Sequence, residues 1–137
     1  MNKETPRLLR LSDSTLTLEK PADDLRTHRV FDSDGEEIGK VEDLFIDEAE
    51  NKVRFMLVTS GGFLGLGAEQ ILIPVDAISG IDEKGVHIAH GREHISGAPQ
   101  YDPELVDQEY YQSLYGYYGY GPFWSAGYMY PNYPYYI

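Results

Sequence analysis

Residues 29–59, RVFDSDGEEIGKVEDLFIDEAENKVRFMLVT, constrain the fold more than any other part of the chain. Three apolar runs (residues 30–31, 38–46 and 53–58) are separated by two polar turns at 32–37 and 47–52. Val, Ile, Leu and Phe dominate the second and third runs, and such side chains suit a pleated, half-buried surface. Val53, Phe55 and Leu57 alternate with Arg54, Met56 and Val58, which is the period of a strand. Asp34-Gly35 supplies the positive φ that a tight hairpin turn needs. The stretch therefore reads as an antiparallel meander.

The rest of the chain extends it. Strands are expected at residues 7–11, 29–32, 37–46, 53–60, 70–75, 78–81 and 86–89, with a hairpin turn at Asp82-Glu83-Lys84-Gly85. Pro74 cannot donate to a ladder and belongs at a strand end or an edge. Asp43 interrupts the pattern between Val41 and Leu44, which predicts a bulge whose carboxylate accepts backbone hydrogen bonds. The fold expected is mainly β: a small antiparallel barrel of about five or six strands. Its core comprises Val30, Ile38, Val41, Leu44, Ile46, Val53, Phe55, Leu57, Ile71, Ile73, Ile78, Val86 and Ile88. Residues 1–28 form an N-terminal strand and loop joining this barrel, and 29–97 its core.

Composition changes near residue 97. All 12 tyrosines lie at or after Tyr101, and no Lys or Arg follows Arg92. Residues 98–115 read as a linker and a short helix. Asp102-Pro103-Glu104 is a helix-start signal; Val106, Tyr110, Ser113 and Leu114 share a helical face, and the helix should stop near Gly116. Residues 116–137 are Tyr-, Gly- and Pro-rich and low in complexity, which predicts a disordered tail. Two other readings stand beside it: aromatics folded back over the barrel, or an adhesive segment for self-association, because Tyr gives large contact area at low entropy cost. On the third reading Tyr117, Tyr118, Tyr120, Phe123 and Trp124 are candidate contact residues, and the tail is dispensable for folding.

Charge and composition narrow the function classes. With 11 basic and 23 acidic residues the net charge is −12, so phosphate backbones and anionic membrane surfaces are repelled. Cysteine is absent, which fits a reducing cytoplasm. The N-terminus lacks the apolar core of a signal peptide, and no run approaches the ~20 apolar residues that span a bilayer. A soluble, cytoplasmic protein is expected.

Few motifs carry chemistry. Asp32-Ser33-Asp34-Gly35 opens like a calcium loop, but its flanks read as strands, and a hairpin turn explains it better. His87, His90 and His94, with Glu93 nearby, are spaced so that a metal or small-ligand site is conceivable if they converge. The loop at 61–69, GGFLGLGAE, lacks the Gly-Lys-Ser/Thr ending of a phosphate cradle. Phe63 and Leu64 at its tip are instead candidate contact residues. No Ser-His-Asp or Cys-His arrangement is supported, so no catalytic residue and no cofactor is expected.

The core resembles the PRC-barrel domain, named for the photosynthetic reaction centre H subunit. The residues that carry the resemblance are Val30-Phe31-Asp32, Asp34-Gly35, Ile38-Gly39-Lys40-Val41, Asp43, Asp47, the glycine-rich loop and Ile73-Pro74. Arg92-Glu93-His94-Ile95, Ala98-Pro99-Gln100-Tyr101-Asp102 and the Tyr-rich end are similar to the segment that succeeds the barrel in bacterial stand-alone members. Two departures are the tighter spacing of Phe31 and Asp32, and Thr27-His28, where many members have a Gly. The resemblance implies a small, bent barrel used for binding or assembly. Relatives include the C-terminal half of the ribosome maturation factor and archaeal cell-division proteins, and no shared catalytic residues carry over. The chain lacks the H subunit's membrane helix and the maturation factor's N-terminal domain, so their roles do not transfer. The expected function is a non-enzymatic protein-binding module, self-associating or holding a protein partner.

Overall fold

The strand at Glu37–Asp47 (β3) organises the sheet, because three other strands pair with it. A computed structural model describes residues 8–13, 24–60, 69–104, 106–134 and 136. One edge of β3 carries Lys52–Thr59 (β4) along most of its length, from Lys40↔Thr59 to Asp47↔Lys52. The other edge is shared by Arg29–Phe31 (β2) near its start and Leu8–Arg10 (β1) near its end. Register shifts at Val41/Asp43 and Phe45/Ile46 mark bulges, and bulges bend a strand and increase its twist.

Gln70–Pro74 (β5), Ile78–Ile81 (β6) and Val86–Ile88 (β7) complete seven strands, in the order β5-β4-β3-β2-β7-β6 with β1 beside β3. This corrects the closed antiparallel barrel. The path ends at β5 and β6, which do not pair, and β2 runs parallel to β7. Hairpin neighbours must be antiparallel, whereas strands far apart in sequence meet in either direction. β5 and β6 are separated by the 3-10 turn Val75–Ala77, which redirects the chain so that two sequence neighbours fail to pair. Pro74 lies at the end of β5, opposite Phe55.

Every expected core residue is buried except Ile78, which is half-buried. The alternation in β4, however, does not separate a wet face from a dry one. Phe45, Arg54, Met56 and Val58 are buried as well. A strand covered on both faces carries a continuous apolar run, and the second cover comes from the C-terminal segment. Phe55 stacks on Tyr111 at 5.3 Å and meets Tyr115 at a tilt at 4.9 Å, while Phe45 meets Tyr101 edge-on.

Two helices come after the sheet: Arg92–Ser96 (α1), absent from the sequence reading, and Gln108–Tyr118 (α2), which packs against β5. α2 starts later than Asp102-Pro103-Glu104 predicts. Asp102 spends its carboxylate on the Glu104 N–H in a local turn, while Asp107 caps the helix by accepting from Tyr110 N–H. The helix ends at Gly119 with φ +89°, a left-handed stop that glycine favours. Its buried face is Tyr111, Leu114, Tyr115 and Tyr118, offset from the face expected, and Ser113 is exposed.

Nor do the described tail residues stand apart from the core. Phe123 is buried, and Trp124, Tyr128, Tyr130 and Tyr133 pack against it. These described residues lie against the sheet and α2. The physical reason is that Arg54 and Phe55 of β4 need cover, which α2 and the tail supply. No helix among the described residues is long and apolar enough to cross a membrane.

Candidate functional site

Among the described residues, Asp32, Asp43, Asp47 and Arg54 are buried polar side chains that hold the fold. Asp32 is buried and accepts from the N–H groups of Asp34 and Glu36 through Oδ1, and of Arg92 through Oδ2. It thereby fixes the hairpin turn and ties it to the start of α1. Asp34-Gly35 forms the tip, with Gly35 at φ +82°. A side chain on Gly39 would run into the Thr59 carbonyl, so this position must be glycine for β3 and β4 to approach.

Asp43 sits at the bulge. Its carboxylate accepts from Leu44 N–H (2.9 Å), Ser12 N–H (3.2 Å), the Ser12 hydroxyl and Arg10 Nε (3.0 Å). Burial pushes its pKa up, but these donors outweigh burial and hold it below the usual carboxylate range. It staples the segment after β1 to the bent strand.

Asp47 and Arg54 form a second buried pair across β3 and β4. Arg54 Nε and Nη2 reach Asp47 Oδ2 at 2.9 and 2.6 Å, and Nη2 also reaches Glu50 at 2.7 Å. The guanidinium faces three tail rings: Phe123 at 4.4 Å, Tyr130 at 5.2 Å and Tyr128 at 5.8 Å. A desolvated cation against aromatic faces is worth about 2 kcal/mol. Around it, Tyr130 donates to the Val53 carbonyl (2.9 Å) and Tyr128 to Asp76 Oδ2 (2.8 Å), while Lys52 Nζ lies 5.1 Å from the Tyr130 ring centre. Burial pushes the Asp76 carboxyl above its ordinary pKa, partly offset by the Tyr128 bond. The sequence reading missed Arg54 and Asp76 as contact residues, although a charge inside the apolar run VRFMLV was a visible signal of a buried partner.

The histidines do not converge. His87 stacks on Phe31 at 5.3 Å and pairs with Asp82 at 2.9 Å. His90 and His94 stack on one another at 5.1 Å, beside Tyr117, Tyr118 and Tyr120. His90 Nε2 meets the Tyr120 hydroxyl (3.2 Å), and His94 Nε2 the Tyr117 carbonyl (3.1 Å). Burial, with His94 adjacent, lowers the His90 pKa. No group of three or more metal-ligating side chains occurs among the described residues.

The candidate contact aromatics therefore have internal roles. Tyr117 donates to the His94 carbonyl, Tyr118 is buried, Phe123 covers Arg54, and Trp124 meets Tyr115 and Phe123 edge-on. Phe63 and Leu64 lie outside the described residues. The tail leaves Met129, 85% exposed, and Tyr136, 50% exposed, on the outside; these are the exposed large hydrophobics among the described residues.

A cleft of about 840 Å³ opens at the far end of β2, lined by Thr27, His28, Arg29, Phe31 and the β6–β7 turn Asp82-Glu83-Lys84-Gly85. Its walls carry both signs of charge. Thr27 has φ +76°, a strained conformation for a β-branched residue. Its N–H is bonded to the Val41 carbonyl at 2.7 Å.

No curated protein matches the chain. The PRC-barrel domain family matches residues 19–93, which span β2 to β7 with the Asp32 turn, the Asp43 bulge and the Asp47–Arg54 pair. With more than half of its length matched and its β-rich sheet in place, the chain belongs to the PRC-barrel domain family.

Proposed function

We propose that the chain is a non-enzymatic interaction module, in which the PRC sheet is a rigid platform for an aromatic C-terminal contact surface. One observation carries this reading. Met129 and Tyr136, the exposed large hydrophobics among the described residues, both lie on the sheet-bound tail. Exposed large apolar groups can mark contact sites, and these two share one segment. The surface takes a protein, either a second copy or a partner with a matching apolar patch. Nucleic acid and anionic membranes are disfavoured by the charge of −12, and the absence of cysteine supports a cytoplasmic setting. Family membership lends no photosynthetic or ribosomal role.

The test compares the full chain with a Met129→Asp, Tyr136→Asp variant, using sedimentation analysis and cross-linked co-purification from the native host. Loss of association or of a specific partner at unchanged melting temperature supports the role. A wild-type chain that stays monomeric and retains no partner abolishes it.

A further inference from the structure

The seat around Arg54 takes aromatic rings from the tail, and nothing in its geometry requires them to come from the same chain. The guanidinium is held by Asp47 and Glu50 whether or not a ring covers it. Phe123, Tyr128 and Tyr130 dock through side-chain contacts to Arg54, Asp76 and the Val53 carbonyl. The backbone pairing of the described tail with the sheet is one isolated bridge, Ile81↔Tyr136. The connection from α2 passes through Gly119 in the left-handed region and Tyr120, which bonds the Tyr115 carbonyl and meets His90, before Gly121, so a change of direction that leaves the helix in place begins at Gly121.

We propose that the tails exchange between copies: Phe123, Tyr128 and Tyr130 of one chain occupy the Arg54 seat of a second chain. This rests on the interaction role proposed above and names its partner as a second copy. Exchanging an identical element is a low-cost route to a dimer, because each contact of the closed form is reproduced in the open one. In the closed form a short tether gives the tail an effective concentration of ~mM, so exchange sets in only as chain concentration approaches that range. Residues 116–137 contain no Asp, Glu, Lys or Arg, while each whole chain carries −12. The crossing tail thus adds no charge repulsion, but the two sheets repel. Screening weakens that repulsion, so exchange increases with salt, opposite to the behaviour of an ion-paired interface.

The chain has no cysteine, so introduced thiols are unique. Lys52 Nζ lies 5.1 Å from the Tyr130 ring, and exposed Met129 is its neighbour. A full-length Lys52→Cys copy is mixed with a full-length Met129→Cys copy and treated with a short bis-maleimide. The doubly substituted chain, dilute, reports the closed contact. A Lys40→Cys copy is the control, because Lys40 pairs with Thr59 at the opposite end of β4 from Lys52. The expected result is a cross-linked dimer several-fold more abundant with Lys52→Cys than with Lys40→Cys. Its yield rises with protein and salt. Equal yields from the two acceptors overturn the exchange. A dimer in sedimentation that cross-links only within each chain also overturns it, yet leaves the interaction role standing; absence of both dimer and partner removes both.

Discussion

The meander and the aromatic tail are both built into the core, but by different means. From β2 to β4 the chain is held by a backbone ladder, and its side chains pack because the pleat aims them. From Gly119 onward the described chain has no regular element, and it is held by rings, hydroxyls and one buried cation. The ladder is cooperative and specified by local pattern. The tail depends on a surface that exists only after the sheet has formed. The difference teaches that low complexity and a missing period do not by themselves make a segment dispensable, because burial depends on what the rest of the molecule leaves uncovered.

The largest expected effect tests whether the tail belongs to the core. A chain ending at Leu114 loses Tyr115, Tyr118 and Phe123, all buried. Truncating one buried ring costs ~3–5 kcal/mol, against a total stability of ~5–15 kcal/mol. The shortened chain should fail to give a cooperative thermal transition; a melting temperature equal to the full chain's would return the tail to the dispensable class.

Next in size is the contact that joins the two regions. Arg54→Ala leaves Asp47 buried without its cation and removes the seat for three rings, at an expected cost of ~3–5 kcal/mol by chemical denaturation. Trp124, the one tryptophan in the chain, reports the tail separately. Its emission should shift to the red in this variant under native conditions. An unshifted spectrum would mean that the tail docks without Arg54.

A smaller effect, of opposite sign, is expected at the cleft. Thr27→Gly relieves a left-handed backbone and should stabilise the protein by ~1 kcal/mol, within the cost ascribed to such strain. Destabilisation would show that the Thr27 side chain makes a compensating contact.

The smallest effect concerns pH. The folded state lowers the His90 pKa through burial and the neighbouring His94, so it favours the neutral imidazole. The associated stability is present above the unfolded value of ~6.5 and is lost as pH falls from there through the lower folded value. His90→Asn should flatten the stability profile between pH 7 and pH 5 relative to wild type. Asp43 acts lower: its depressed pKa gives stability that is lost as pH falls below the ordinary carboxylate value. A wild-type profile that is flat from pH 7 to pH 5 would refute the His90 part.

Period-two alternation, turn residues and a bulge-forming Asp43 determined the strands and their order from sequence alone. The observed bounds of β2 to β7 agree with the expected ones to within one residue at each end, and those of β6 coincide. The hairpin at Asp34-Gly35 was legible for the same reason: it is decided by neighbours within a few residues, whereas the close approach of Gly39 to Thr59 appears only in the folded sheet. Tertiary structure decided the parallel meeting of β2 with β7, the open ends at β5 and β6, the separation of His87 from His90 and His94, and the burial of both faces of β4. Arg54 shows the physical reason. As a residue it reads as a solvent-facing cation on a strand, and only the distant rings of Phe123, Tyr128 and Tyr130 make it a buried anchor. A local pattern records what a side chain prefers, and the whole molecule settles which surfaces remain to be covered and which segment covers them.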